Sequence, residues 1–433
     1  MSSTKTGSHI LLYPFFASGH IISLLDFTHH LLSRGLTVTV IVKPNNLPLL
    51  HPFKNTSSLQ PLVLPGAGPP PPNKLPILSF IRFMRDVHYP LIVNWFRSHE
   101  SPPVAILADY FLGWSQQLAT ELAIKHIMTF AKCPWWQIDR LHKDYESGDP
   151  DWELLRESWL AVYASWGIVF NSFSELEQLY IDYMKTELGH QRVWAVGPVL
   201  SLDKDVVGYA NRGGSSSVPF HELMAWLDSG KEKSVLYVCF GSVVTLTVKQ
   251  MREVASSLEL SRVPFVWCVR NPSNNEQVTD DYNTILKGLE ERVEKGRGFV
   301  IKGWAPQLAI LRHKAVGAFL TNCGWNSALE GLMTGVLLLT WPMFADQYTN
   351  AELVIDQLGL GIRVAEGERK LPEPSELARI LDESMKEENI PERVKAREIK
   401  EAAVKALKGG SSDKYLDDLV KNLNELSLAA NKV

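Results

Sequence analysis

A chain of 433 residues exceeds what one hydrophobic core sustains, so two or three domains are expected. With 45% hydrophobic and 21% charged residues the composition is that of a globular protein rather than a disordered one. The net charge of -4, from 48 acidic and 44 basic residues, removes the electrostatic case for a nucleic-acid binder.

The N-terminal run His9–Ala17 is largely apolar, but Pro14 and His20 interrupt it and no small-residue cleavage site closes it, so it does not read as a signal peptide. It reads as a strand, His9–Phe15, followed by a loop, Phe16–His20. Ile22, Leu25, Leu31 and Leu32 then fall near helical spacing, with Gly35 as a stop, and Leu36–Val42 is a β-branched second strand. Val104–Ala108 and Ile168–Asn171 continue the strand series, and the Pro-rich stretch Gly66–Pro72, ahead of Val104, is a surface loop of polyproline character. A polar, Gly/Ser-rich stretch, 201–218, marks an interdomain linker. Beyond it a second series follows: Val235–Phe240, Pro264–Val269, Phe299–Lys302, Ala315–Thr321 and Val336–Thr340. Strands alternating with helices imply parallel, doubly wound α/β sheets, so the expected organisation is a domain over 1–200, a second over 219–410, and a C-terminal helix over 411–433 packing back on the first. Two such domains would open a cleft at the carboxyl ends of their strands. No run approaches the roughly 18–20 apolar residues of a membrane helix.

Cys133, Cys239, Cys268 and Cys323 form no CxxC pair and lie in apolar or small-residue runs, so they read as buried, reduced thiols of a cytoplasmic protein. No GxGxxG follows the first strand, and neither GxxxxGK[ST] nor HExxH occurs, which argues against a dinucleotide oxidoreductase, a P-loop enzyme and a zinc protease. The dense stretch is Trp304–Gln347. There a strand, Ala315–Thr321, leads through a tight loop, Asn322–Asn326, into a helix opened by Ser327, with Ser327 and Glu330 matching a capping box. Such a helix end is a ready anion site, and the Gly241-Ser242 loop offers a second; the competing reading is that Ser327 and Glu330 only cap the helix.

This stretch closely resembles the signature box of the plant UDP-dependent glycosyltransferases, family 1 enzymes of the GT-B fold that glycosylate small secondary metabolites. Trp304-Ala305-Pro306-Gln307, Cys323-Gly324-Trp325-Asn326-Ser327, Glu330 and Asp346-Gln347 carry the resemblance. It extends through Gly19-His20, Asp109–Trp114, Asn171–Glu177, Trp226-Leu227-Asp228 and Phe240-Gly241-Ser242. The resemblance implies an acceptor-binding first domain and a UDP-sugar-binding second domain. It implies that Trp304 stacks on uracil, that the Ala305 backbone reads the base edge, and that Gln307 and Glu330 hold the ribose. Ser242, Asn322, Trp325, Asn326 and Ser327 would hold the diphosphate, and Asp346 and Gln347 the sugar. His20 would be the general base on the acceptor hydroxyl, oriented by Asp109, in a direct displacement with inversion. His29 and His30, mid-helix, read as structural.

Three positions depart from the family pattern. Asn322 stands where a histidine is usual, Leu337 replaces a proline, and Thr129–Trp136 lacks the expected Ser/Thr-Gly loop, with a short charged segment after it. Trp135 and Trp136 either stack a flat acceptor or belong to the core. The expectation is a glycosyltransferase moving a sugar, with glucose first and xylose or rhamnose as alternatives, from a UDP-sugar co-substrate to a small phenolic or flavonoid acceptor. No metal or other cofactor, no nucleic acid, no membrane span and a monomeric state are expected. A weakly active nucleotide-sugar-binding protein is the alternative of a different class, motivated by Asn322.

Overall fold

The computed structural model describes residues 7–68, 76–130, 146–200, 216–270, 276–293, 296–386 and 390–430. Pro69–Pro72, Cys133, Trp135, Trp136 and linker residues 201–215 lie outside them. The chain folds as two compact units, Met1–Asp205 with Ala403–Val433, and Val206–Ala402.

The first unit is a seven-stranded parallel sheet in the order β3-β2-β1-β4-β5-β6-β7. Its strands are β1 (His9–Tyr13), β2 (Thr37–Val42), β3 (Leu59–Val63), β4 (Ala105–Asp109), β5 (Lys125–Thr129), β6 (Gly167–Phe170) and β7 (Val193–Ala195). Helix α1 (Ser18–Ser33) joins β1 to β2. Helices cover both faces of such a sheet, which is why its central strands β1 and β4 are buried along their whole length. Along β1, Ile10 and Leu12 enter one core with Val38, Val40 and Phe27, while Leu11 and Tyr13 enter the other with Ile106, Ala108 and Trp114. His29 and His30 are structural: His29 stacks on Phe53 at 4.1 Å, and His30 Nε2 donates to the Val199 carbonyl at 3.0 Å.

The second unit is a six-stranded parallel sheet in the order β10-β9-β8-β11-β12-β13. Its strands are β8 (Val235–Cys239), β9 (Phe265–Val269), β10 (Gly298–Lys302), β11 (Val316–Thr321), β12 (Leu337–Thr340) and β13 (Gly361–Arg363). Helices α2 (Gln307–Arg312), α3 (Trp325–Thr334) and α4 (Gln347–Ala351) follow the strand ends that concern the site.

The change from second unit to first falls within helix α5 (Pro391–Leu407) rather than at residue 410. The early turns of α5 are tied to the second unit, with Arg393 donating to the Gly317 carbonyl at 2.7 Å and Lys400 to the Thr334 carbonyl at 3.1 Å. The C-terminal helix α6 (Ser411–Ala430) packs on the first unit, burying Leu416, Leu419 and Leu423. Asp417 accepts from Arg34 at 2.7 Å and Asp418 from Trp194 Nε1 at 2.8 Å. Among the described residues no helix is long and apolar enough to cross a membrane.

Candidate active site

In an open parallel sheet, ligands bind beyond the carboxyl ends of the two strands where the order reverses. In the first unit those strands are β1 and β4, and in the second β8 and β11. His20 and Asp109 follow β1 and β4, and Ser242 and Asn322 follow β8 and β11, while Trp304 and Gln307 follow β10 and Asp346 and Gln347 follow β12, on the same carboxyl edge of the second sheet.

His20 follows β1, but in the first turn of α1 rather than in a loop. Ala17 is the extended N-cap, and the His20 and Ile21 amides both donate to its carbonyl at 3.0 Å, so the helix begins at Ser18. This fixes the imidazole on a rigid element. Asp109 closes β4 and is buried. Its Oδ1 accepts from the Phe111 amide at 3.0 Å, and its Oδ2 lies 2.8 Å from His20 Nδ1. A carboxylate that accepts on both oxygens places the hydrogen on Nδ1 and leaves the lone pair on Nε2. Nε2 makes no hydrogen bond to any described residue. Rings surround the imidazole, with centroids of Phe15 at 5.5 Å, Phe111 at 5.3 Å and Tyr110 at 5.7 Å. Burial, with a contribution from the Asp109 charge, pushes the Tyr110 phenol far above its ordinary value, so this neighbour keeps its proton and His20 is the base available.

In the second unit, Gly241 and Ser242 follow β8, and the turn 322–324 follows β11. Cys323 takes a left-handed φ of 61°, and Gly324 is the N-cap of α3 without a side-chain cap bond. Helix α3 therefore starts at Trp325, two residues before Ser327, and Ser327 and Glu330 do not form the expected capping box. The reason is tertiary: Ser327 Oγ accepts from Gln307 Nε2 at 3.0 Å, and Glu330 Oε2 accepts from the same nitrogen at 2.8 Å. With Gly324 as the N-cap, the amides of Trp325, Asn326 and Ser327 are the first three of the helix, the positions that hold anions. Asn322 is 4% exposed, its Oδ1 accepting from the Gly324 amide at 3.4 Å. Gly241 (φ 74°) lies against it: a Cβ there would come within 3.3 Å of the Asn322 amide nitrogen. Ser242 is exposed and its hydroxyl makes no hydrogen bond to a described residue.

Trp304 is half-buried, and its ring has no aromatic partner among the described residues, a free face for a flat base. The Ala305 carbonyl accepts from the Gln307 amide at 2.8 Å. Gln307 has both side-chain hydrogens engaged, and its Oε1 accepts from the buried Tyr237 hydroxyl at 3.3 Å. Tyr237, stacked on Phe319 at 5.0 Å, thus orients Gln307, and Gln307 orients Glu330. Gln347 is more restricted than its residue type suggests: Oε1 accepts from the Met343 and Phe344 amides at 3.0 and 3.2 Å, leaving only its N–H group for a ligand. Asp346 Oδ2 accepts from Asn350 at 2.7 Å. Cys239, Cys268 and Cys323 are buried and form no disulfide, and Cys133 lies outside the described residues. Among the described residues no group of three His, Cys, Asp or Glu is placed to hold a metal. Tyr237 and Asn350 escaped the sequence reading; the signals available were a phenol in an otherwise apolar strand, Val235–Cys239, and an amide one helical turn after Asp346.

Comparison with known proteins bears on both units. Residues 199–390 match the family model described as UDP-glucoronosyl and UDP-glucosyl transferase. Over its full length the chain is similar to a flavonol 3-O-glucosyltransferase of Arabidopsis thaliana, 42% identical with 99% of this chain and 98% of the relative covered. The chain belongs to the plant family 1 UDP-glycosyltransferases. Another member of the family, a flavonol 7-O-rhamnosyltransferase of Arabidopsis thaliana, is 39% identical, with 98% of this chain and 100% of the relative covered. Among solved family structures, that of Arabidopsis thaliana UGT89C1 complexed with UDP-L-rhamnose superposes with a TM-score of 0.82 at 37% identity, covering 96% of this chain and 99% of that one. The same protein complexed with quercetin gives 0.80 at 36% identity, with 96% and 100% covered. This UDP-glycosyltransferase has the GT-B fold, built from its two parallel-sheet α/β units.

Proposed function

We propose that this enzyme transfers glucose from UDP-glucose to a hydroxyl of a flavonoid-type phenol with inversion, using His20 as the general base. The observation that carries the reading is the 2.8 Å bond from His20 Nδ1 to the buried Asp109, which leaves Nε2 with its lone pair. In the proposed step Nε2 takes the acceptor hydroxyl proton while the acceptor oxygen bonds to the anomeric carbon. The anomeric carbon–oxygen bond to UDP breaks, its electron pair leaves on the diphosphate, and an α-linked donor gives a β-glucoside. Asp109 stabilises the imidazolium that forms. Trp304 stacks on the uracil and Glu330, oriented by Gln307, binds the ribose. Ser242, Asn322 and the first amides of α3 take the diphosphate charge, and no metal is invoked. Asp346 and the Gln347 N–H group bind the sugar.

Glucose as donor is supported by the glucosyl name of the 42% identical relative and by Gln347 at the end of the signature box. UDP-L-rhamnose is the second reading, favoured by the rhamnosyl name of the 39% identical relative and by the ligand in the UGT89C1 structure. A flavonoid acceptor is supported by both relatives' names and by the quercetin complex, and a cytoplasmic site of action fits the reduced thiols. A donor-by-acceptor matrix, read by mass spectrometry with and without EDTA, tests the proposal. Acceptor-dependent UDP release with a glucoside product is expected. Rhamnoside as the main product would replace the donor assignment, loss of activity in EDTA would overturn metal independence, and UDP-sugar binding without any product would support the binding-protein alternative.

A further inference from the structure

Asn350 stands outside the donor contacts proposed above, yet it is 5% exposed and both hydrogens of its side-chain amide are engaged. Nδ2 donates to Asp346 Oδ2 at 2.7 Å and to the Cys323 carbonyl at 2.9 Å. The two acceptors belong to segments far apart in sequence. Asp346 opens α4, and Cys323 is the left-handed residue of the turn that leads into α3. The Asp346 side chain does not cap its own helix. A carboxylate at a helix start is ordinarily drawn to the free amides there, so its position one turn along, on Asn350, needs a strong competing donor. The Asn350 backbone amide also donates to the Asp346 carbonyl at 2.9 Å, so one residue holds Asp346 at two points.

We propose that Asn350 is a positioning residue for donor-sugar recognition: by bridging the Asp346 carboxylate to the Cys323 carbonyl, it holds the sugar-facing carboxylate at a fixed place relative to the diphosphate-facing turn. The inference rests on the reading of Asp346 as a sugar contact. A hydrogen bond to a charged group, here half-buried and donated by a buried amide, is among the stronger kinds. Without it the carboxylate loses a charge-assisted partner, and the loss falls on sugar selection more than on the nucleotide.

The test measures kcat/KM for UDP-glucose and UDP-L-rhamnose with a flavonol acceptor, and Kd for UDP by calorimetry. The proteins compared are the parent, Asp346→Ala, Asn350→Ala and the double variant. Asn350→Ala is expected to lower kcat/KM for the preferred donor roughly tenfold, to narrow the preference between the two donors, and to leave Kd for UDP within about threefold. In the Asp346→Ala background the same change is expected to cost less than about twofold more, because the group it positions is gone. Asn350→Asp keeps the shape but removes the N–H donors, and it repeats the measurement if the alanine variant does not fold. Equal losses for UDP and UDP-sugar, an unchanged donor preference, or additive losses in the double variant would overturn the proposal. If Asp346→Ala itself leaves both donors untouched, the sugar-contact reading falls and the inference falls with it. A loss at Asp346 that neither Asn350 variant reproduces overturns the inference alone.

Discussion

Asp109→Asn is the sharpest perturbation of the proposed base, because the structure lets it change electrostatics while preserving shape. The amide oxygen of asparagine can still accept from the Phe111 amide, as Asp109 Oδ1 does at 3.0 Å, so the turn after β4 is kept. What changes is the 2.8 Å contact with His20 Nδ1. An amide N–H group facing Nδ1 makes it the acceptor, moves the ring hydrogen to Nε2 and removes the lone pair the reaction needs. The charge is lost too. With charge centres about 4 Å apart and an effective dielectric of about 20, an imidazolium–carboxylate pair interacts by about 4 kcal/mol. His20 keeps 24% of its side chain exposed, so screening reduces this to about 2 kcal/mol, or roughly thirtyfold in rate. The tautomer penalty adds to it, and a total fall in kcat of about 10²–10⁴ is expected, the usual range for general-base catalysis. The assay is single-turnover glycoside formation across a series of phenols of graded acidity. The deficit is expected to shrink as the phenol becomes more acidic, because a pre-ionised nucleophile needs no base, and Kd for UDP is expected to stay unchanged. A deficit equal for all phenols, or none for a weakly acidic one, would refute the assignment of His20 and Asp109.

Other outcomes follow from single contacts. Tyr237→Phe removes the hydroxyl that fixes Gln307 at 3.3 Å, so UDP is expected to bind about fivefold more weakly, corresponding to about 1 kcal/mol, with a smaller loss for 2′,3′-dideoxy-UDP; equal losses for the two nucleotides would show that the ribose is not held this way. Asn322→His introduces a donor able to carry charge at the proposed diphosphate site, and steady-state kinetics are expected to show a KM for UDP-sugar lowered, or a kcat raised, about tenfold, for about 1.4 kcal/mol; constants that do not move, or a switch of donor preference, would reject the phosphate role. Burial pushes the His126 imidazole, held 2.9 Å from the hydroxyls of both Ser115 and Ser165, down to about 3. Below about pH 6.5 the unfolded chain therefore binds a proton that the folded chain refuses until about pH 3, and stability falls on acidification through that window by up to about 1.4 kcal/mol per pH unit. His126→Gln is expected to flatten this slope in urea titrations at several pH values, and identical slopes for parent and variant would exclude His126 as its source.

The α/β class was legible in the chain because apolar runs such as His9–Phe15 and Ala315–Thr321, each followed by a small-residue turn and a helical pattern, are local signals. The candidate site positions rest instead on the family resemblance carried by Gly19-His20, Asp109 and the Trp304–Gln347 stretch; in the fold His20 follows β1 and Asp109 closes β4, at the carboxyl edge where a parallel sheet gathers its ligands. Strands β3, β7 and β13 escaped that reading, since LQPLV carries Gln and Pro at exposed positions, the other two have three residues each, and the pairing of all three is decided by neighbours in space. The start of α3 escaped it as well. From sequence, Ser327 and Glu330 form a capping box; in the fold Gln307, twenty residues earlier, reaches both, and a left-handed Cys323 starts the helix at Trp325. Gln347 kept its place but lost half its expected chemistry to two backbone amides. The sequence names the candidate groups through the family resemblance. A hydrogen bond is directional and each donor is used once, so which group faces a ligand and which is consumed in holding another was decided only when the fold brought residues such as His20 and Asp109, or Cys323 and Asn350, within reach.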